Sequence, residues 1–299
     1  MDVSIIYVNY HTSSLIADSI KSVIRHVTDI NYEFIIVDNN SEKNIENILS
    51  PFIPVDLSVK YIYNNENIGF GPANNIGAQY ASGTYLFFLN PDTLLLNNAI
   101  KILSDFLNGH PDVGGCGGNL MDINNSHAYS FYKYFPGIRW ELEAFTHYIF
   151  SHPFNSRNRC CNFSDSPIPV AYISGADLMV RKDIFQEVKG FPSDLFMYWD
   201  DVELCKRIKD IGYKIYNVPD ARICHLESRS FDNMNLSNTL KYELQEKYRQ
   251  IYLKRNIGTF QTKIADIIYW LILTTRVLGT KGKKKEYYKI RKQSFMKYR

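Results

Sequence analysis

Acidic side chains stand at two places in this chain where they could take part in catalysis or ligand binding. The first place is Asn90-Pro91-Asp92, which directly follows the apolar stretch Tyr85–Leu89. Five apolar residues in a row are typical of a strand buried on both faces. Because proline cannot continue a central strand, the chain turns there and presents Asp92 beyond the strand's carboxyl end. Ligands of open α/β sheets bind at that edge.

The second place is the pair Asp200 and Asp201, which follows the aromatic run Phe196-Met197-Tyr198-Trp199 at a predicted helix start. The helix macrodipole favours acids there by roughly 0.3–1 kcal/mol each, so capping alone could explain the pair. The neighbouring rings also desolvate a carboxylate, which favours its use as a proton acceptor. The residues alone leave both interpretations open.

His225 follows a short apolar stretch, residues 221–224, and could reach the same edge as Asp92. A single histidine is more often structural than functional. An aspartate with a histidine nevertheless suits a divalent cation that keeps positions open for a diphosphate.

The elements that must position these side chains alternate between strand and helix. Apolar stretches at residues 3–8, 34–37 and 59–63 predict strands, and residues 16–24 and 73–81 carry apolar residues at helical spacing. This alternation predicts an α/β fold with a mostly parallel central sheet flanked by helices. Polar groups leave the predicted strand ends at Asn9-Tyr10, Asp38-Asn39 and Asn90-Pro91-Asp92, which together favour a nucleotide cleft.

Residues 120–168 interrupt the alternation with many aromatic side chains and little clear period. Two interpretations stay open: a lid of loops and short helices, or a flap that faces an acceptor or a membrane. After this stretch, strands are predicted at residues 170–173, 178–180 and 213–218, and a helix continues from Asp201 to Gly212.

The charge is distributed unevenly along the chain. Residues 281–299 carry nine Lys and Arg residues against one Glu, whereas the rest of the chain is mildly acidic. Before this tail, residues 264–278 form an apolar stretch that is too short to span a bilayer. We expect it to lie in the membrane interface, with Tyr269 and Trp270 at headgroup level and the basic residues 281–285 on anionic lipid. The alternative is a C-terminal helix that packs on the domain.

Several classes of protein fit poorly. No basic–aromatic recognition motif accompanies the tail, so we expect no nucleic-acid partner. A sugar nucleotidyltransferase needs a glycine-rich loop after its first strand, where this chain has Asn9-Tyr10-His11-Thr12. The N-terminus lacks the pattern of a signal peptide, and the five cysteines show no regular framework, which favours reduced cytosolic thiols.

Five motifs in order resemble the inverting family 2 glycosyltransferases of GT-A fold, and most closely the bacterial rhamnosyltransferase-like enzymes of O-antigen and capsule assembly. The resemblance covers about residues 1–230. The motifs are Val3-Ser4-Ile5-Ile6-Tyr7-Val8-Asn9-Tyr10, Ile36-Val37-Asp38-Asn39-Asn40-Ser41, Asn67-Ile68-Gly69-Phe70-Gly71, Leu89-Asn90-Pro91-Asp92 and Tyr198-Trp199-Asp200-Asp201-Val202-Glu203-Leu204.

The resemblance implies a GT-A (Rossmann-like) domain over residues 1–230, with a nucleotide-sugar half to about residue 118 and an acceptor half from about residue 119. Residues 231–299 then form a helical, amphipathic, membrane-associating extension with a basic tail. It also implies sugar transfer, with rhamnose as the first expectation, from a nucleotide-diphosphate donor to a lipid-linked glycan, at the inner face of the cytoplasmic membrane. Alternatives are a galactofuranosyl or hexosyl transferase of the same fold, or a non-catalytic nucleotide-sugar-binding module.

The resemblance also assigns roles to residues. Asp201 matches the family's general base, with Asp200 beside it, and Tyr198 and Trp199 are expected on the acceptor side. Asp92 matches the acid that binds Mg²⁺ or Mn²⁺, while Asn90 replaces the first acid of that motif. His225 resembles the histidine that completes the metal site of galactofuranosyltransferases. Donor binding is assigned to Val8, Asn9, Tyr10, Asp38, Asn39, Asn67, Gly69, Phe70, Asn74, Asn90, Asp92, Gly175 and Ala176.

Overall fold

The structure, a computed structural model, describes residues 1–41, 44–150, 160–226 and 238–299. Two compact units divide the chain. The first contains the described residues of Met1–Lys133, Arg157–Phe196 and Asp200–Asn235, and the second those of Tyr134–Ser156, Met197–Trp199 and Leu236–Arg299. The domain boundary predicted near residue 230 lies outside the described residues.

A mixed sheet forms the centre of the first unit. The strands of the unit are β1 (Val3–Asn9), β2 (Tyr32–Asp38), β3 (Val59–Tyr63), β4 (Tyr85–Leu89), β5 (Thr93–Leu95), β6 (Val113–Met121), β7 (Phe131–Tyr132), β8 (Ile168–Val170), β9 (Tyr172–Ile173), β10 (Asp177–Arg181) and β11 (Lys214–His225). In the mixed sheet they run in the order β3-β2-β1-β4-β10-β6-β11-β5, and β8 pairs with β11 beside this path. A second, two-stranded sheet pairs β7 with β9.

The strands β3, β2, β1 and β4 pair in parallel, as the alternating pattern predicts. Strand β10 enters antiparallel between β4 and β6. The apolar runs of β1 and β4 are buried along their whole length because helices cover the sheet. The carboxyl ends of β1, β2 and β4 therefore meet at one edge.

Helices of the first unit bury one apolar face each against this sheet. In α1 the buried face includes Ile16, Ile20 and Val23, and in α4 it includes Leu103 and Leu107. The helices are α1 (Ser13–His26), α2 (Ile45–Leu49), α3 (Phe70–Tyr80), α4 (Ala99–Gly109), α6 (Lys182–Glu187) and α7 (Asp200–Asp210), with a 3₁₀ turn at Ser50–Phe52.

The second unit is mainly helical in its described part. It contains α5 (Ile138–Phe150), α8 (Asn238–Gly279) and α9 (Gly282–Tyr298). Gly258 breaks α8 into two helical segments, because its φ of 77° and ψ of 165° lie outside helical space. Gly258 allows this conformation without steric cost, so the two segments can pack against each other.

Buried charges join these helices. Arg249 is buried and donates to Glu141 Oε1 at 2.6 Å and to Asp266 Oδ1 at 2.7 Å. The hydroxyl of Tyr269 donates to Glu246 Oε1 at 2.7 Å, and Arg291 contacts both groups. Hydrogen-bonded pairs of this kind offset the cost of removing each charge from water. The network fixes α5, both segments of α8, and α9 in one arrangement.

This packing differs from the interfacial arrangement expected for residues 264–278. Tyr269 is 8% exposed and packs on Phe295 with ring centroids 5.2 Å apart, so its ring is inside the unit rather than at headgroup level. Trp270 is half-buried, with the ammonium of Lys292 lying 5.0 Å from its ring centroid. The periodicity of the sequence could not distinguish a buried aromatic from an interfacial one. In the described residues, no helix has the length and apolarity needed to cross a membrane.

Candidate functional site

Asn9 and Asp38, which end β1 and β2, lie opposite each other in the parallel register. Asn9 Nδ2 donates to Asp38 Oδ1 at 2.6 Å. The amide of Ser41 donates to Asp38 Oδ2 at 2.9 Å, and its hydroxyl donates to Oδ1 at 2.5 Å. Thr12 donates twice to Asn9 Oδ1. These bonds hold the Asp38 carboxylate in one orientation at the carboxyl edge of the sheet.

A second set of amides lies beside Asp38. Asn39 Nδ2 donates to Asn67 Oδ1 at 3.2 Å and to the carbonyl of Gly69 at 3.1 Å. Asn64 Nδ2 donates to Asn39 Oδ1 at 2.8 Å, so the side chain of Asn39 is bonded at both ends. The structure thus brings together the expected donor-binding residues Asn9, Asp38, Asn39, Asn67 and Gly69.

Gly69 allows the close approach of two backbone segments. Its φ is +95°, and a Cβ there would overlap the carbonyl oxygen of Phe196. That carbonyl accepts a hydrogen bond of 2.8 Å from the amide of Phe70, the first residue of α3. Asn74 is buried in the same helix and donates to the Phe70 carbonyl at 3.1 Å. Only glycine takes this φ without strain, which explains the residue type at position 69.

Two other residues expected to bind the nucleotide-sugar donor, Val8 and Tyr10, make none of the hydrogen bonds described above. Val8 is buried as part of β1, so its side chain contributes to the core. Tyr10 is half-buried just after β1, with its ring centroid 4.6 Å from that of His11.

The Asn90-Pro91-Asp92 turn is bonded to the segment that precedes β10. The amide of Asn90 donates to the carbonyl of Ala176 at 3.0 Å, continuing the antiparallel pairing of β4 with β10. The neighbouring residue, Gly175, donates its amide to Asp201 Oδ2 at 2.9 Å. The Asn90 turn and the acid pair, more than 100 positions apart in sequence, are therefore joined through two consecutive residues, Gly175 and Ala176.

Asp92 and His225 face each other. Nε2 of His225 lies 3.4 Å from Oδ1 of Asp92, and Asp92 is 2% exposed. The pairing of β5 with β11 sets this contact, because Thr93 lies opposite His225 and the amide of Leu226 donates to the carbonyl of Asp92. In the described residues, no cluster of three or more His, Cys, Asp and Glu side chains arises that could hold a metal ion.

Asp200 and Asp201 begin α7, and their carboxyl groups have different surroundings. Asp201 Oδ1 accepts from the amide of Val202 at 2.8 Å, while Oδ2 accepts from Gly175. Asp200 is buried, and within the described part of the chain its Oδ2 has no hydrogen-bond partner. Burial, followed by the negative charge of Asp201, raises the pKa of Asp200 to about 7. Burial also raises the pKa of Asp201, while the two backbone amides partly oppose the shift.

Tyr198 and Trp199 belong to the second unit. Both have positive φ, 67° and 69°, which costs on the order of 1–3 kcal/mol for each bulky residue. Trp199 Nε1 donates to the carbonyl of Gln245 at 2.9 Å, and its ring centroid lies 5.4 Å from that of Tyr252. The Trp199 indole is thus engaged inside its own unit, while its role towards an acceptor stays a prediction.

Ser41, which belongs to the second motif, and Asn64 were not among the predicted site residues. Ser41 binds Asp38, and Asn64 positions Asn39. A signal for Asn64 was present, since it follows the strand predicted at residues 59–63 and so marks a further polar exit at the same edge.

Together these features define a class: an α/β protein of GT-A-like fold whose polar side chains meet at the carboxyl edge of its sheet. The chain belongs to glycosyl transferase family 2, whose sequence pattern matches residues 4–185. It is a rhamnosyltransferase-like member of that family.

Two curated relatives extend over most of the chain. Rhamnosyltransferase WbbL of Escherichia coli (strain K12) is 25% identical over 251 residues, covering 80% of this chain and 89% of the relative. The dTDP-rhamnosyl transferase RfbF of Shigella flexneri is 24% identical over 280 residues, covering 91% of this chain and 87% of the relative.

Solved structures share the fold. GalNAc-T7 with UDP, GalNAc and Mn²⁺ superimposes with a TM-score of 0.61 at 18% identity, over 100% of this chain and 56% of that one. The mannosyltransferase PcManGT of Pyrobaculum calidifontis, in complex with GDP-Man and Mn²⁺, gives a TM-score of 0.61 at 13% identity, over 99% of this chain and 86% of that one.

Proposed function

We propose that this glycosyltransferase is inverting and divalent-cation-dependent, and that it transfers rhamnose from a nucleoside-diphosphate donor to a lipid-linked oligosaccharide during surface polysaccharide assembly. One observation carries the proposal. The Asn90 turn is bonded to Ala176, and the amide of the adjacent Gly175 holds Asp201. These two bonds support a site in which the proposed leaving-group side, at Asp92, and the proposed proton acceptor, Asp201, share one sheet edge.

The polar edge formed by Asn9, Asp38 and Asn39 suits the nucleoside. A fixed carboxylate such as Asp38 accepts hydrogen bonds from hydroxyl or N–H groups of a sugar or base. The start of α3 adds the positive end of a helix dipole, which favours a phosphate nearby. Gly69 and Phe70 sit at that helix start.

Asp92 and His225 fit a divalent cation. A carboxylate oxygen and an imidazole nitrogen 3.4 Å apart are donors of the type that Mn²⁺ and Mg²⁺ accept, and two protein ligands leave positions for phosphate oxygens. When bound, such a cation would neutralise negative charge on the departing nucleoside diphosphate. Asn90 stands where the family's metal-binding motif has its first acid, so Asp92 is the remaining carboxylate of that motif.

Asp201 is the proposed general base. Both oxygens of its carboxyl group are oriented by backbone amides, from Gly175 and Val202. The acceptor oxygen forms a bond to the anomeric carbon, the bond from that carbon to the phosphate oxygen breaks, and the hydroxyl proton passes to Asp201. A single displacement from the opposite face inverts the anomeric configuration.

The choice of rhamnose is supported by the relatives, two of which are named as rhamnosyltransferases. A lipid-linked acceptor is supported by a mycobacterial relative, 27% identical over 186 residues and 58% of this chain, which is named as an N-acetylglucosaminyl-diphospho-decaprenol L-rhamnosyltransferase. A lipid-linked substrate would bring the enzyme to the inner face of the cytoplasmic membrane as a peripheral protein.

A donor screen tests this function. The full-length protein is incubated with dTDP-rhamnose, UDP-hexoses, UDP-galactofuranose and GDP-mannose, each with and without Mn²⁺, and its Tm is measured. We expect the largest stabilisation with dTDP-rhamnose and Mn²⁺, because a ligand that binds only the folded state stabilises it. Turnover of that donor with a lipid-linked acceptor, and an inverted linkage in the product, would complete the test. Stabilisation by another donor alone would reassign the sugar.

A further inference from the structure

The second segment of helix α8, residues 259–279, has an apolar face that its own unit does not cover. Phe260 is 76% exposed, Ile267 61%, Leu271 39% and Leu278 77%. Their spacings of seven, four and seven residues place them within about 40° of one another around a helix. We call these four residues the exposed stripe. It extends about 27 Å along the helix, from 18 residues at about 1.5 Å each.

The opposite face of the same segment is already used for folding. Ala265, Tyr269, Ile272 and Leu273 are buried. The charged Asp266 is also directed into the unit, where it binds Arg249 and Gln250. The exposed stripe therefore adds nothing to the core of the second unit. Four large apolar side chains in line on a surface mark an interaction site rather than scattered exposure.

Basic side chains stand at both ends of the stripe. Lys263 is exposed, one turn from Phe260 and three residues before Asp266, which is the sole acid in the sequence of residues 259–279. At the other end, Lys281, Lys283 and Lys284 are exposed just beyond Leu278. An apolar face flanked by lysines is complementary to a bilayer surface that contains anionic headgroups.

A second copy of this chain would be a poorer occupant. Either orientation of two paired stripes would bring lysines next to lysines, because both ends of the stripe are positive. Like charges facing each other oppose association. Anionic lipid, in contrast, attracts both ends.

We infer that the exposed stripe is the membrane-docking face of the protein, and that it seats on the surface of an anionic bilayer with Phe260, Ile267, Leu271 and Leu278 among the acyl chains. This inference rests on the proposed function for its purpose, which is access to a lipid-linked acceptor. It differs from the interface expected from the sequence, which had Tyr269 and Trp270 at the headgroups.

Vesicle binding of the full-length protein tests the inference. Phosphatidylcholine vesicles with and without phosphatidylglycerol are sedimented with wild type and with the double variant Ile267→Gln/Leu271→Gln. We expect wild type to bind the anionic vesicles and the variant to bind at least about tenfold more weakly, from the apolar area lost. Lys281→Glu/Lys284→Glu should weaken binding by about fivefold or more per lysine, and added salt should weaken it further.

Matched controls separate docking from folding. Ile123→Gln removes a side chain that is 70% exposed in the first unit, and it should bind vesicles as wild type does. Circular dichroism and the Tm confirm that each variant is folded, and Phe260→Ser replaces any variant that is not. Equal vesicle binding by wild type and stripe variants would overturn the inference. So would a wild-type dimer that Ile267→Gln dissociates in sedimentation velocity, which would assign the stripe to a second copy.

The docking face and the proposed function can be refuted independently of each other. Hydrolysis of the nucleotide-sugar donor, measured without lipid, should be the same in wild type and in the stripe variants. A wild type that docks through the stripe but binds no nucleotide sugar would refute the function and keep the docking face. A protein that turns over its donor and ignores anionic vesicles would refute the docking face alone.

Discussion

The backbone amide of Gly175 lies 2.9 Å from Oδ2 of Asp201 and donates a hydrogen bond to it. Gly175 precedes the residue whose carbonyl accepts from Asn90, so this contact connects the acid pair to the Asn90-Pro91-Asp92 turn. The proposed proton acceptor, Asp201, and the proposed metal ligand, Asp92, are thus tied to the same backbone segment. The first two predictions test these roles one at a time.

Replacing Asp201 with Asn removes the proposed base while keeping the shape of the side chain. We expect turnover to fall by about 10²–10⁴-fold, the usual contribution of a general base, while donor affinity stays unchanged. Steady-state kinetics and titration calorimetry measure the two quantities. Asp210→Asn, at the far end of the same helix, should have little effect because that carboxylate is exposed and paired with Lys206. Near wild-type turnover in Asp201→Asn would remove Asp201 from this role.

His225→Ala should weaken donor binding in the presence of Mn²⁺ and leave the weaker, metal-free binding of the donor unchanged. The reason is that Asp92 and His225 are the proposed ligands, and losing one of two protein ligands reduces the affinity for the cation. Calorimetry with donor, with and without Mn²⁺, reports the difference. His110→Ala serves as the control, since that histidine is exposed at the end of α4. Identical effects of the two substitutions would exclude the proposed site.

Turnover should depend on pH through the ionisation of Asp201. Burial raises the pKa of Asp201, and it raises the pKa of Asp200 to about 7. A base must be ionised to accept a proton, so turnover should rise with pH and fall as Asp201 becomes protonated, at a pH above the usual range for an aspartate. Asp200→Asn should keep this acid limb, because burial, rather than the charge of Asp200, raises the pKa of Asp201. A flat profile in wild type would contradict the assignment.

Gly69→Ala should destabilise the protein and weaken donor binding. Position 69 has a φ of +95°, and a Cβ there would overlap the Phe196 carbonyl, so we expect a loss of about 1–3 kcal/mol in the free energy of unfolding. Gly109→Ala is the matched control, because it ends a helix and a Cβ added there would meet no atom of another residue within 4 Å. Denaturant unfolding compares the two, and equal stabilities would disprove the steric argument.

Asp177 should make stability depend on pH. It is fully buried, its Oδ2 accepts from the amide of Gly118 at 2.6 Å, and burial raises its pKa well above the usual value. An acid with a raised pKa binds more protons folded than unfolded, so stability falls as pH rises from about 4 towards the folded-state pKa. Asp177→Asn, which carries no charge, should flatten this decline in denaturant unfolding measured from about pH 5 to 9. An unchanged slope would show that Asp177 does not titrate as proposed.

Periodicity predicted the parallel half of the sheet well. The apolar runs of β1, β2, β3 and β4 are short and end in polar residues, and each is a strand in the structure. Strands β1, β2 and β4 are buried almost throughout, so their sequences carry an unambiguous signal, whereas β3 lies at the sheet edge and is only partly buried. The polar exits that follow them meet at one edge, as parallel pairing requires.

Strand β6 was not predicted, and its composition explains why. It contains four glycines, a residue depleted from strands, within Val113–Met121. The structure requires small residues there, because a Cβ at Gly117 would overlap Ile173 and one at Gly118 would overlap the carbonyl of Ala221. The glycines of β6 are therefore required by tertiary packing, which local strand propensity does not reveal. Strand β11 was similarly predicted as two pieces, since its pairing with β6 shifts register between Asn217 and Arg222.

The candidate site could be predicted only in part from the sequence. Residue types indicated Asp38, Asp92 and Asp201, but the hydrogen bond from Gly175 to Asp201 depends on β10 lying between β4 and β6. Nothing local in the sequence specifies that order of strands. The burial of Tyr269 was not predicted for the same reason. Its ring packs against Phe295, which lies on a helix distant from it in sequence.

The bond between Asn90 and Ala176 is made by main-chain atoms alone, and so is one end of the bond between Gly175 and Asp201. Mutation of neighbouring side chains leaves such peptide groups in place. Side chains around the site can therefore vary without moving the Asn90 turn relative to Asp201.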